Sequence, residues 1–372
     1  MTGIRSGTKT DNLACWFTGC LLILTPVSGY SHHAPAHYTL SQAEKQKIIQ
    51  ERLILYRKTF PEIVFTHLAG GKHWSEDYVV AATLLGEAPV NMDYEHPPEL
   101  ASDVMAVSMH RINLMLRQDI VSATLFRSDK NSPLKGQPVC FITLNPEVYA
   151  ENSPETTAHM VDLADELMAK IHPSRLLDPR EHLRFTIDHE VYHCLDSFFT
   201  GGAPMTKKKF GGEYNLFRRE SGADAYALAM HFRQPEAEPR YAENITLIRA
   251  LWLFSGGPNR CTFESMLEIY RQPKKYFSTK TVPELVNLAT GIRDTKAGSY
   301  DFYVAQRVAA LGAAKALGYD ASIYDGQWNE LDLAKARPDQ VNYRIKRYKY
   351  YYNRLFDDLP VEFLPADPAR TD

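Results

Sequence analysis

Along most of the chain the apolar positions recur every three or four residues, the rhythm of helices with one buried face, and two short stretches break it. From Ser41 to about Arg57, Ile48, Ile49, Leu53 and Leu55 sit among charges and predict an amphipathic helix. A second helix is predicted over Pro98–Gln118, with Val104, Met105, Met109, Ile112 and Met115 on its buried side. That Met-rich stripe reads as core packing, since flexible thioether side chains fill irregular gaps. Ile120–Phe126 and Pro138–Leu144 are instead rich in β-branched and aromatic residues. Asp129-Lys130-Asn131-Ser132-Pro133 lies between them, so they read as two short strands joined by a turn-bearing loop.

Helical signals then dominate. Ser153-Pro154-Glu155 opens a helix to about Ile171, with Ser153 as N-cap and Pro154 in the favoured first position. Asp178-Pro179-Arg180-Glu181 repeats that opening, and Gly201-Gly202 ends the helix it starts. A further helix is expected from about Glu213 to Arg233, and others over Glu243–Leu253, Thr262–Arg271, Val282–Arg293, Tyr300–Leu317 and Val341–Asp357. No fixed-period repeat is present. The pattern implies a predominantly helical α+β unit with a short strand pair before the helix that begins at Asp178. It has a helical part to about residue 118, a central part from about 119 to 233, and a helical part from about 240 to 372.

That central helix carries the chemistry. It contains Phe185-Thr186-Ile187-Asp188-His189-Glu190-Val191-Tyr192-His193-Cys194-Leu195-Asp196, an H-E-x-x-H motif. Residues four apart lie on nearly one helix face, so two imidazoles there can reach one metal ion. Glu190 sits about 100° around the helix from His189, badly placed as a ligand on that face and well placed to meet a water held by a metal. By chance the motif arises on the order of a few per cent of the time in such a chain. Two features argue against chance. Leu183, Ile187, Val191, Leu195 and Phe198 give the helix a buried stripe, and Arg219-Glu220-Ser221-Gly222-Ala223-Asp224 follows downstream. Glu220 can supply a third ligand, leaving a fourth position open as catalytic zinc sites do. Asp224, one turn on, can hydrogen-bond the outer nitrogen of a ligating histidine. Gly222, Ala223 and Ala225 are small enough to let two helices approach closely.

Thr186 to Leu195 fits the extended zincin consensus, and Glu220-x-x-Ala223-Asp224 resembles the second motif of the gluzincins, the thermolysin-like zinc metallopeptidases. The likeness covers about 40 residues around these two motifs. It implies a zincin-like core with one Zn²⁺ per chain on His189, His193 and Glu220, Glu190 as general base, and Asp224 supporting a ligand. The implied reaction is hydrolysis of a peptide or protein substrate. The likeness also implies an edge strand aligning the substrate, which places the cleft beside Cys140-Phe141-Ile142-Thr143. No H-x-x-G-x-x-H continuation is present, so the metzincin pattern is not supported.

Composition changes the picture mainly at the ends. With 44% hydrophobic and 23% charged residues over 372 positions, the chain is globular in type, and a net charge of -3 gives no reason to expect a nucleic-acid partner. Arg5 and Lys9 precede an apolar run from about Leu13 to Thr25, followed by Pro26-Val27-Ser28-Gly29. This is the layout of a secretory signal peptide cleaved after Gly29, predicting a periplasmic or secreted protein. The run is too short for a comfortable membrane span. Of the cysteines left, Cys140, Cys194 and Cys261 allow at most one internal disulfide, with the pair open.

A donor for the developing oxyanion is expected but not singled out among His231, Tyr300, Tyr303 and the tyrosines from Tyr348 to Tyr352. Val341, Ile345, Tyr348, Tyr352 and Leu355 share one stripe, which predicts a docking helix whose basic residues face outward. Lys207-Lys208-Lys209, flanked by double glycines, reads as a solvated loop. His182 shares the face of His189 but stands about 10.5 Å away along the axis, too far to share an ion. An exported binding or scaffold protein keeping a zincin-like fold without cleavage is the alternative to a peptidase.

Overall fold

Ser41 starts the first described helix through a reciprocal cap: its hydroxyl accepts from the Glu44 N–H, and the Glu44 carboxylate accepts from the Ser41 N–H. The computed structural model describes residues 39–87, 104–117, 121–147, 170–202, 211–252, 260–295, 300–317 and 338–365. The signal-peptide segment, the helix expected from Ser153 except its last two residues, and the Lys207–Lys209 loop lie outside them.

Helix α1 (Gln42–Thr59) leads into strand β1 (Val64–Leu68), then helices α2 (Trp74–Leu85) and α3 (Val104–Arg117). Strands β2 (Ser122–Arg127) and β3 (Pro138–Thr143) follow. Helix α4 (Pro179–Thr200) is the one predicted from Asp178, whose side chain accepts from the Glu181 N–H, and it ends at Gly201 in the left-handed conformation. Next come α5 (Gly211–Phe232), α6 (Pro239–Leu251), α7 (Phe263–Tyr270), the short α8 (Lys274–Ser278), α9 (Val282–Thr295), α10 (Tyr300–Ala316) and α11 (Pro338–Arg354). The described chain is thus α+β and predominantly helical, as the apolar spacing implies.

The sheet departs from expectation. It has three strands in the order β1-β3-β2, with β1 parallel and β2 antiparallel to β3. The extra strand β1 makes β3 central and leaves β2 at the edge. The expectation that Cys140–Thr143 forms an edge beside the cleft is therefore corrected, because both sides of β3 are already hydrogen-bonded to neighbours.

Alternation along the strands sorts side chains to two faces. Phe65, Ala123, Cys140 and Ile142 join the main core with α1 and α4, while Leu68, Val139 and Phe141 pack against α2 and α3. Met109, Ile112 and Met115 are buried as core residues, in keeping with the packing role assigned to the methionines. A disulfide joins Cys140 of β3 to Cys194 of α4, so the central strand and the motif helix are covalently linked. Among the described residues no helix is long and apolar enough to cross a membrane.

Candidate metal centre

Helices α4 and α5 run antiparallel, because contacts climb one helix as they descend the other: Glu181 to His231, His189 to Asp224, His193 to Glu220. Close approach depends on Gly222. A Cβ there would fall 2.7 Å from the Tyr192 hydroxyl, so any larger residue would wedge the pair apart. Tyr192 is held from behind, its hydroxyl 3.1 Å from that of Thr290 on α9. The small residues read from the sequence thus have a specific counterpart on α4.

At this contact the three predicted ligands converge. His189 Nε2 lies 3.4 Å from one Glu220 oxygen and His193 Nε2 lies 3.6 Å from the other. The two rings stand edge to face with centroids 5.0 Å apart. One ligand atom from each of His189, His193 and Glu220 lies within 4.8 Å of the others, a group that could hold a metal ion. The donor set fits such an ion on two further counts. His189 Nδ1 donates to Asp224 Oδ1 at 2.7 Å, so Nε2 is the nitrogen turned to Glu220, and it can ligate an ion that displaces its proton. His193 also directs Nε2 inward, while its buried Nδ1 meets no hydrogen-bond partner among the described residues.

Asp224 is itself over-determined. Arg249 Nη2 donates to its Oδ1 at 3.0 Å, and the Thr262 hydroxyl donates to Oδ2. Burial opposes ionisation of this carboxyl, yet Arg249 and His189 outweigh it and hold it below the usual range. The reciprocal effect is large. Burial alone would keep His189 neutral, but the Asp224 and Glu220 carboxylates raise it to about 10. His193 has weaker support, and burial lowers it to about 3.

Glu190 is not one of the three converging ligands, in keeping with its helical position. Its Oε2 accepts from the Ala123 N–H of β2 at 2.8 Å, so the edge strand lies directly against the predicted base. Burial pushes the Glu190 carboxyl up to about 7, opposed by the His189 charge and reinforced by Glu220. Arg260 also acts on both Glu190 and Glu220. Its guanidinium lies over the Trp252 ring at 5.2 Å, and Arg249, already committed to Asp224, lies 5.6 Å from the same ring.

Several supports were not readable beforehand. Asp188, next to His189, receives Arg52 and Tyr56 of α1, with Arg52 Nε at 2.9 Å. Those partners lie more than 130 positions apart in sequence, where no spacing rule operates. Arg260 lacked any helical register with the motif and was not singled out.

Of the suggested oxyanion donors, His231 and Tyr303 have polar partners outside the ligand cluster. His231 donates to Glu181 from Nδ1 and meets the Glu238 carbonyl through Nε2, both at 3.0 Å. The Tyr303 hydroxyl donates to Glu213, and Tyr300 packs edge-on against the Tyr214 ring. Tyr348 and Tyr351 are buried in the core. Comparison of the chain with protein-family models, curated proteins and solved structures returns no match, so the reading of this centre stands on its geometry.

Proposed function

We propose that the protein is a zinc-dependent hydrolase of peptide bonds, a gluzincin-type metallopeptidase with a zincin-like core that acts after export. The observation that carries this reading is the convergence of His189 Nε2, His193 Nε2 and the Glu220 carboxylate within 4.8 Å, beside Glu190. Two imidazoles, one carboxylate and one open position form a ligand set typical of catalytic zinc. His189, His193 and Glu220 would hold the zinc ion, which would supply Lewis-acid polarisation of the scissile carbonyl and a more acidic water.

The chain's own residues do the rest. Asp224 fixes the His189 tautomer, so the imidazole presents Nε2 to the metal and keeps its proton on Nδ1. Glu190 takes a proton from the attacking water and delivers it to the leaving amine. A carboxyl raised to about 7 suits both tasks near neutral pH. Strand β2, with its outer edge against Glu190, is the strand that would align an extended peptide. Arg260, whose charge acts on both Glu190 and Glu220, would support the negative charge that develops as the carbonyl is attacked. The signal-like N-terminus and the Cys140–Cys194 disulfide both favour an oxidising compartment.

The test is metal analysis of the purified protein beside Glu190→Gln, with both assayed on a mixed-peptide library. The expected result is about one zinc per chain in both proteins and cleavage in wild type alone. Zinc in both with equal or absent cleavage would overturn the catalytic reading and leave a metal-bound binding protein.

A further inference from the structure

Away from the metal centre, charge and burial conflict where α10 meets α11. The sequence pattern places the basic residues of α11 on its outer face, yet Arg344 and Arg347 are only 4% and 2% exposed. Arg307 of α10 is buried as well. Two of these arginines have carboxylate partners: Arg307 pairs with Glu213, and Arg347 pairs with Glu264 at 2.5 Å. Arg344 has none among the described residues. Its Nε and Nη1 are buried without a hydrogen-bond acceptor among them, and its guanidinium carbon lies 4.3 Å from the centre of the Phe302 ring.

This arrangement is expensive unless a charge balances it. A buried lysine can escape by losing its proton, but a guanidinium stays protonated in a folded protein. A ring face attracts a desolvated cation less strongly than burial disfavours an unpaired charge. The surroundings add hydrogen-bonding groups. Tyr348 follows Arg344 by four positions and so shares its helix face. The Tyr348 hydroxyl lies 3.9 Å from the Cys261 thiol. Burial raises Cys261 to about 12, so it stays a neutral S–H, with the nearby Arg344 charge acting in the opposite sense.

We propose that Arg344 anchors a buried site for a small monovalent inorganic anion, of which chloride is the simplest. Charge sets the valence: Arg307 and Arg347 are each matched by a glutamate, and a single guanidinium remains. Burial sets the size, because both unpaired nitrogens are withdrawn from solvent. This site shares no residue with the proposed metal ligands, and its test does not depend on catalysis.

Thermal unfolding of the full chain is measured at constant ionic strength while sodium gluconate is replaced by sodium chloride. Wild type, Arg344→Met and the control Lys346→Met, an exposed cation on the same helix, are compared. Chloride should raise the Tm of wild type and of the control by roughly 2–4 °C in a saturable manner and leave Arg344→Met unmoved. Wild-type crystals soaked in sodium bromide should show an anomalous bromide peak beside Arg344 Nε and Nη1. If Arg344→Met does not fold, the wild-type titration and the bromide map decide together. A wild-type Tm indifferent to chloride, the same dependence in Arg344→Met, or a map without bromide at Arg344 overturns the proposal.

Discussion

Two of the histidine–carboxylate contacts that bridge α4 and α5 are made through Nδ1, and they have different chemical prospects. Near the start of α4, Glu181 accepts from His231 Nδ1 at 3.0 Å, while Nε2 of that ring meets the Glu238 carbonyl. Farther along, Asp224 accepts from His189 Nδ1 at 2.7 Å, and Nε2 faces Glu220 beside a second imidazole. The first contact closes on itself, with both ring nitrogens consumed by the protein. The second uses its carboxylate to aim the other ring nitrogen at a shared point. A buried histidine with an acidic partner therefore does not mark a metal centre; convergence of the second nitrogen with other ligands does.

Substitutions at the two contacts should separate these roles. The largest effect is expected at Glu190→Gln, with kcat/KM falling about 10³-fold or more while zinc content stays unchanged, read by peptide cleavage and metal analysis. Asp224→Asn should weaken metal binding about 10–100-fold, measured by competition with a chelator. At the closed contact, Glu181→Gln should leave metal affinity alone and lower stability at pH 7 by about 1–3 kcal/mol in denaturant titrations. Burial opposes ionisation of Glu181, but His231 and Arg184 hold its carboxyl below the usual range. Its contribution is present above the unfolded-state value and fades as pH falls through the folded one, so wild type and variant should converge in acid. A metal affinity that fell with Glu181→Gln and not with Asp224→Asn would reverse the comparison.

The smallest effect is confined to one pH window. His182 lies close to the closed contact, its Nδ1 3.3 Å from the Tyr241 hydroxyl, and burial with the Arg249 charge lowers it to about 3. The unfolded chain takes up this proton below about 6.5 and the folded chain does not. Stability from His182 is thus intact above that value and declines toward pH 3, with a slope of at most about 1.4 kcal/mol per unit. His182→Gln should flatten this acid limb in pH-dependent unfolding, and an unchanged slope would show that His182 is not the group responsible.

What could be read in advance follows from how local each contact is. His189, Glu190 and His193 are related by helical geometry alone, and the structure brings Glu220 and Asp224 to them where the small residues of α5 allow close approach. The strand β1 escaped notice because five residues, Val-Phe-Thr-His-Leu, give too short a pattern, and its pairing with Val139–Thr143 is entirely non-local. Without that strand, the central β3 looks like an edge. Arg344 and Arg347 were assigned to solvent by the same local logic. Partners on distant helices, Glu264 among them, decide otherwise.

The bond between Cys140 and Cys194 has a consequence for when the protein can become active. Cys194 immediately follows His193, so the crosslink fastens the ligand-bearing turn to the middle of the sheet. It closes a separation of 54 residues, worth about 4 kcal/mol if chain entropy dominates. On the proposed reading, a newly made chain in a reducing cytosol would lack that restraint and would acquire it on reaching an oxidising space. The linkage would then work as a timing device, with the proposed hydrolase reaching its full rigidity only after export.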